Sequence, residues 1–211
     1  MKLYEIYTSI QGETHHAGRP CTLVRFAACD LRCTYCDTEY AFTGGQEVSR
    51  ESIVADVESR GCKLVLLTGG EPLLQAELPQ LASELLDRGF EVMLETGGHR
   101  DVSAMPAGVC IILDVKTPGS GEVEKNHWPN LERLDEKDAV KFVICSQADY
   151  EWARGVIAEH HLAERTQVLL SPSFGQLEAK TLVEWMLRDR LPARLNLQLH
   201  KYVWPPEQRG V

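Results

Sequence analysis

Short, nearly continuous apolar runs alternate with longer amphipathic stretches along the whole of this 211-residue chain, and that alternation leaves few folds open. The runs fall at 22–26, 63–67, 91–94, 110–115, 139–144, 167–170 and 195–199. Runs of this length with little polar alternation describe strands buried on both faces, as in a parallel sheet. Helical patterns stand between them. Ser49 is placed to cap a helix that ends near Arg60 and turns Ile53, Val54 and Val57 to one side. A second helix is expected from about Glu77 to Arg88, stopped by Gly89, and a third over about 148–160. A fourth runs from about Leu177 to Arg190, with Leu182, Val183, Met186 and Leu187 facing inward. Repeated βα units build a parallel sheet, and a closed eight-stranded barrel needs about 250 residues. The expectation is therefore an α/β fold, an open partial (β/α) barrel of six to seven mainly parallel strands in one domain over 1–211. A flat doubly wound sheet is the alternative, weakened by the lack of a GxGxxG turn after the first strand.

The totals exclude several function classes. A net charge of −9 disfavours tight non-specific nucleic-acid binding, although a few local cations can still hold a small anion. The N-terminus has no apolar signal region, and no run approaches the roughly 18–20 apolar residues of a membrane span. A cytoplasmic protein with no membrane and no direct nucleic-acid partner is expected. Seven cysteines, an odd number, argue against a disulfide framework. Cys62, Cys110 and Cys145 are scattered and read as small buried hydrophobes. The histidine pairs His15/His16 and His160/His161, with His99 and His127, read as solvated surface.

Chemistry-bearing residues gather just after the strands, where barrel active sites are built. Cys29 follows the first strand, Thr68-Gly69-Gly70-Glu71-Pro72 the second and Glu95 to Gly98 the third. Asp114, Val115 and Lys116 end the fourth, Ser171, Pro172, Ser173 and Phe174 follow the sixth, and His200-Lys201 the last. Cys29, Cys33 and Cys36 lie within eight residues. Three thiolates on a short loop can hold iron or zinc. Structural zinc needs a fourth ligand, and Cys21 lies about seven extended residues away, roughly 20 Å or more. Three cysteines alone suit a [4Fe–4S] cluster with one open iron.

The CxxxCxxC spacing resembles the motif of the radical S-adenosylmethionine superfamily, and Gly69-Gly70-Glu71-Pro72 resembles its GGEP motif. Further stretches narrow the likeness: Ser9-Ile10-Gln11-Gly12-Glu13, Val24-Arg25-Phe26, Cys36-Asp37-Thr38-Glu39-Tyr40-Ala41 and Gln198-Leu199-His200-Lys201-Tyr202. Over nearly its whole length the chain resembles the 7-carboxy-7-deazaguanine synthases. The resemblance implies conversion of 6-carboxy-5,6,7,8-tetrahydropterin to 7-carboxy-7-deazaguanine with loss of ammonia, a step in queuosine and other deazapurine biosynthesis. It implies a 5′-deoxyadenosyl radical that takes hydrogen from C6, with S-adenosylmethionine reformed, assisted by Mg²⁺. A homodimer and a flavodoxin- or ferredoxin-type reductant are implied partners.

The same resemblance assigns roles by position. Cys29, Cys33 and Cys36 would ligate the cluster and Thr38 the magnesium. Tyr35, Cys36, Asp37, Gly70, Glu71, Asp114, Val115, Lys116 and Ser171 to Phe174 would surround S-adenosylmethionine, with the GG pair admitting its methionine amino group and Glu71 bracing that loop. Ile10, Gln11, Gly12, Glu13, Arg25, Thr68 and His200 would surround the pterin. Arg25, inside a buried strand, needs an anion: the substrate carboxylate or a structural one. Some family members end soon after the HKY stretch; here residues 203–211 follow, a possible lid near the site in which Glu207 is an available carboxylate. Two other readings remain: another small radical enzyme, such as a glycyl-radical activase, and a zinc-stabilised binding module.

Overall fold

In a computed structural model describing residues 1–211, nine strands form one sheet. They are β1 (Lys2–Ile10), β2 (Pro20–Phe26), β3 (Gln46–Glu47), β4 (Leu64–Gly69), β5 (Glu91–Thr96), β6 (Cys110–Asp114), β7 (Ala139–Ile144), β8 (Gln167–Pro172) and β9 (Arg194–Leu195). The sheet order is β3-β1-β2-β4-β5-β6-β7-β8-β9, with β1 antiparallel to both β2 and β3 and every later pairing parallel. The seven parallel strands are those expected from the apolar runs. The last run was expected to be a longer strand, but only Arg194 and Leu195 pair in register; Asn196 makes a final bond from its N–H to Leu170 O at 2.8 Å, its side chain bonds Ser171, and the chain then turns away. β1 escaped the sequence reading because its residues stay partly exposed, as an antiparallel edge allows. β3 and β9 end the order without pairing to each other, so the barrel is open.

The helices are α1 (Arg50–Arg60), α2 (Leu78–Asp87), α3 (Gln147–Glu159), α4 (Leu162–Arg165), α5 (Ala179–Asp189) and α6 (His200–Val203). Ser49 caps α1 by accepting the Ser52 N–H at 3.2 Å. α5 departs from expectation at Leu187, which is 73% exposed. Its buried residues are Leu182 and Met186, and Trp185 packs on Tyr150 at 5.4 Å. Leu187 sits one residue, about 100° of helix, past Met186 and so faces water. No helix is long and apolar enough to cross a membrane.

Each parallel strand has two faces, and they carry different cargo. The outer face belongs to the main core: Val24, Phe26, Val65, Leu67, Val92, Leu94, Leu113, Val140, Phe142, Val168 and Leu170 pack with the helices. The inner face forms the lumen. Its floor is a separate apolar cluster of Cys21, Leu23, Leu64, Leu66, Met93, Ile112, Ala139 and Leu169. Because side chains alternate with period two, the next inward positions are Arg25, Thr68, Glu95, Asp114, Lys141 and Ser171, all of which line one cavity. An apolar floor thus gives way to an ionisable upper layer. Cys21 lies in that floor, fully buried, far down β2 from the exit that leads to Cys29. Cys62, Cys110 and Cys145 are only half-buried, contrary to expectation, because they occupy an αβ junction, a strand start and a strand exit.

The turn after β4 fixes the start of the cysteine loop. Gly70 donates its N–H to Phe26 O at 3.0 Å, and Glu71 to Ala28 O at 2.8 Å. A Cβ on Gly70 would stand 2.2 Å from Ala28 O, inside backbone that cannot yield. The glycine is therefore required for the approach of two chain segments. Gly70→Ala should lower stability by about 1–3 kcal/mol. Gly155→Ala, in α3 with nothing near a built Cβ, should raise it by about 0.5–1 kcal/mol. Denaturant unfolding of both variants checks the contrast; equal effects would contradict it.

Candidate active site

The loop from Cys29 to Thr38 crosses the top of the lumen and is pinned on the side away from the cavity. Arg32 N–H donates to the Glu122 carboxylate. Thr34 donates its N–H to Ser120 O at 3.0 Å and its hydroxyl to Gly119 O at 2.7 Å. Cys36 N–H closes a turn onto Cys33 O at 3.2 Å. These bonds hold Cys29, Cys33 and Cys36 on the wall of one cavity of about 560 Å³. Burial pushes the Cys36 thiol up to about 11 and raises Cys29 and Cys33 as well, so a metal that binds here must displace protons. The three thiols do not converge within the 4.8 Å that His15, His16 and Cys110 achieve elsewhere. Tetrahedral zinc would draw thiolates to about 3.8 Å of one another, given Zn–S of about 2.3 Å. Three cysteines on the cavity wall, with no fourth among its lining residues, suit an iron–sulfur cluster with an open iron.

Most residues singled out from the sequence meet in this cavity. Ile10, Gln11, Gly12, Glu13, Arg25, Tyr35, Asp37, Thr38, Thr68, Gly70, Asp114, Lys116, Ser171, Pro172, Ser173, Phe174 and His200 all line it. Two do not. Val115 is the outward neighbour of inward Asp114, and its side chain lies in the main core. Glu71 is fully buried behind the wall. Its carboxylate accepts from Leu73 N at 3.0 Å, Thr96 Oγ1 at 2.8 Å and Gly97 N at 2.9 Å, so it braces two rim loops.

The ionic contacts form a network. Glu13 accepts from Lys141 Nζ at 3.1 Å, Asn196 Nδ2 at 3.2 Å and Gln198 Nε2 at 3.1 Å. Asp114 pairs with Lys116 at 3.0 Å and Lys141 at 3.7 Å, leaving its Oδ1 buried and unpartnered. The Tyr35 hydroxyl is likewise buried without a partner. Burial raises the Tyr35 phenol far above its usual range. Two unmet polar atoms in one cavity are what a bound polar ligand would satisfy. Asp37 accepts from Gln198 at 2.9 Å, Lys201 at 3.0 Å and Thr38 Oγ1 at 3.0 Å. Burial opposes its charge, but Lys201 and these donors outweigh that and hold the carboxyl well below the usual range. His200 packs against Gly12, where a Cβ would lie 2.1 Å from its Nδ1. Burial lowers its pKa, so the imidazole is neutral near pH 7.

Arg25 points into the cavity, and it already has a structural partner. Nε donates to Glu5 Oε1 at 2.9 Å and Nη2 to the Tyr7 hydroxyl at 3.0 Å, leaving three of its five N–H groups. Glu5 and Tyr7 come from β1, of which the sequence reading gave a site role only to the last residue, Ile10. It put Glu95 on the rim without a role and missed Lys141, which period-two counting up from Ala139 would have exposed. His99 is the clearest correction. Expected in solvent, its side chain is only 7% exposed; Nε2 bonds Asp30 at 2.7 Å, while Nδ1 lies 3.6 Å from Glu71 and has no hydrogen-bond partner. His15 and His16 are also half-buried, and burial, with His16 beside it, pulls His15 down to about 4. Residues 206–211 return over the cavity and line it, with the Arg209 guanidinium 4.1 Å from the Tyr40 ring centroid.

Burial, only partly offset by Lys141, pushes Glu95 up to about 7. A carboxyl raised on folding binds more protons in the native state between the two pKa values, so stability falls as pH rises from about 4.5 to about 7. Glu95→Gln should remove part of that decline, worth on the order of a few kcal/mol. Urea midpoints across this window check it; an unchanged slope would contradict it.

Comparison with known proteins agrees with this geometry. Residues 23–109 match the Radical SAM superfamily. A 7-carboxy-7-deazaguanine synthase of Chlorobaculum tepidum is 45% identical, the match covering 100% of this chain and 97% of that one. One of Koribacter versatilis is 42% identical, with both chains fully covered. The crystal structure of QueE from Escherichia coli superposes with a TM-score of 0.77 over 93% of each chain at 21% identity, a likeness of fold. Superfamily membership makes the chain a radical enzyme that uses a [4Fe–4S] cluster and S-adenosylmethionine. This chain belongs to the 7-carboxy-7-deazaguanine synthase family.

Proposed function

We propose that the enzyme converts 6-carboxy-5,6,7,8-tetrahydropterin to 7-carboxy-7-deazaguanine with release of ammonia. The observation that carries this reading is the ionisable layer of the lumen directly below the thiol loop. A pterin carrying a carboxylate and several ring N–H groups needs cations and carboxylates together in one cavity. When bound, the cluster and S-adenosylmethionine supply the 5′-deoxyadenosyl radical chemistry that begins the reaction at C6; Cys29, Cys33 and Cys36 would hold the cluster.

The protein's own residues bind, orient and exclude water. The free N–H groups of Arg25 take the substrate carboxylate, while Glu5 and Tyr7 hold the guanidinium in one orientation. Glu13 accepts ring or amino N–H groups from a position fixed by Lys141, Asn196 and Gln198. Glu95, whose pKa is raised to about 7, can hold a proton on its carboxyl and donate it to a leaving amine. Neutral His200 and the Thr68 hydroxyl complete the substrate side. Tyr35 and Ser171 to Phe174 frame the cofactor side, with Lys116 and Asp114. The Thr38 hydroxyl, beside Asp37, is the protein ligand for Mg²⁺, an ion that commonly keeps waters and takes its remaining ligands from substrate. Residues 206–211 cover the mouth and keep bulk water out.

Anaerobic incubation of the reconstituted enzyme with the carboxytetrahydropterin, reductant and S-adenosylmethionine, with and without Mg²⁺, tests the reading. Deazaguanine product with S-adenosylmethionine recovered is expected; cleavage of S-adenosylmethionine without that product would overturn it. Arg25→Ala should raise KM for the pterin at least about 30-fold, in line with loss of a hydrogen-bonded charge partner worth about 2 kcal/mol or more, and leave the cluster spectrum intact. Unchanged turnover at low substrate would make Arg25 purely a partner for Glu5.

A further inference from the structure

A second group of ligating side chains lies at the opposite end of the lumen. Cys110 opens β6, and Asp114 closes it beneath the thiol loop, so about 13 Å of strand separates the two. His15 and His16 follow the stretch Gln11 to Glu13. Neighbours in an extended chain point to opposite sides. Here the turn carries a positive φ of 67° at Thr14, and the two rings lie together, tilted by 45° with centroids 4.2 Å apart. The turn is held by Asn196 Oδ1, which accepts from Thr14 N at 2.6 Å, and by the Thr14 hydroxyl, which accepts from His16 N at 3.1 Å. One ligand atom each from His15, His16 and Cys110 lies within 4.8 Å of the others.

His15 Nε2 stands 3.9 Å from Cys110 Sγ, and its Nδ1 is buried with no partner. The Cys110 thiol donates to Lys137 O at 2.9 Å. Arg19 Nη1 sits 2.7 Å from His16 Nδ1, a cation already directed at an imidazole lone pair. Arg19 has a second partner in Glu91, at 2.8 Å, and can leave His16 without losing its ion pair.

We propose that His15, His16 and Cys110 form a Zn²⁺ site on the lumen floor, distinct from the radical site. Two imidazoles and a thiolate are a zinc donor set with a fourth position open to water. With bonds of about 2.0–2.3 Å, the ligand atoms must close by roughly 1 Å. Binding breaks the Cys110 S–H bond, sends its proton to solvent and frees Lys137 O; no oxidation is involved. The ion ties the turn beside the Gln11–Glu13 cradle to the start of β6.

The test uses full-length protein with its iron–sulfur cluster assembled, so that the three loop thiols are occupied. Co²⁺ is titrated as a spectroscopic probe, and Zn²⁺ is then counted by equilibrium dialysis. Expected are one ion per chain beyond iron, a thiolate-to-cobalt charge-transfer band that Zn²⁺ abolishes, and loss of that band in Cys110→Ala. His15→Gln and His16→Gln should each weaken Zn²⁺ binding at least tenfold while cluster content stays at the wild-type level. No thiolate band in the wild-type protein, or a band and Zn²⁺ count unchanged in Cys110→Ala, would overturn the proposal.

Discussion

The change of character along each inward strand face, from apolar floor to ionisable upper layer, is the constraint on which the rest depends. Lys141 is its centre. Buried between Glu13 and Asp114, it joins the Gln11–Glu13 stretch after β1 to the end of β6 and faces the protonatable Glu95. Removing one partner of such a group strands the others as uncompensated charge in a place water barely reaches. The layer therefore holds together as a unit, and its net preference for a ligand with both anionic and N–H-rich edges follows from its composition.

The rim loops are fixed relative to that layer by contacts that touch no ligand. Glu71 ties the turn after β4 to the one after β5, and His99, from the loop after β5, bonds Asp30, the residue beside Cys29. Asp37 is clamped by Gln198 and Lys201 from the C-terminal segment. The loop bearing the thiols is held from three directions before any cofactor arrives. Such preorganisation is how a protein contributes to chemistry that its cofactor performs.

Much of this was legible in the sequence. The seven parallel strands were marked by apolar runs, and the positions just after them supplied the cysteines, the GG pair and the HKY segment. Continuous apolar runs concealed the inner alternation, however. In Cys110-Ile-Ile-Leu-Asp114 the residues that face the lumen and the helices are equally apolar until the last position. Glu95 looked like the first residue of a rim loop, and Lys141 like a single polar interruption of a strand. β1 was hidden because an edge strand needs no strong pattern, and with it went Glu5 and Tyr7. His99 looked like a loop residue; only the folding of two distant rims toward each other gives it Asp30 as a partner. Resemblance named the residues around the site, while the structure separates those facing the cavity from Glu71 and Val115, which do not.

The central claim is that Cys29, Cys33 and Cys36, and no other cysteine, hold an open-iron cluster at the top of this lumen. Iron and sulfide counting after anaerobic reconstitution, joined to electron paramagnetic resonance of the reduced protein with and without S-adenosylmethionine, tests it directly. The account predicts about four iron and four sulfide per chain, a spectrum that shifts when S-adenosylmethionine is added, and both lost on replacing any of the three cysteines with alanine but kept in Cys21→Ala. One zinc and no iron in the reconstituted protein, or a cluster that survives Cys33→Ala and disappears in Cys21→Ala, would contradict it.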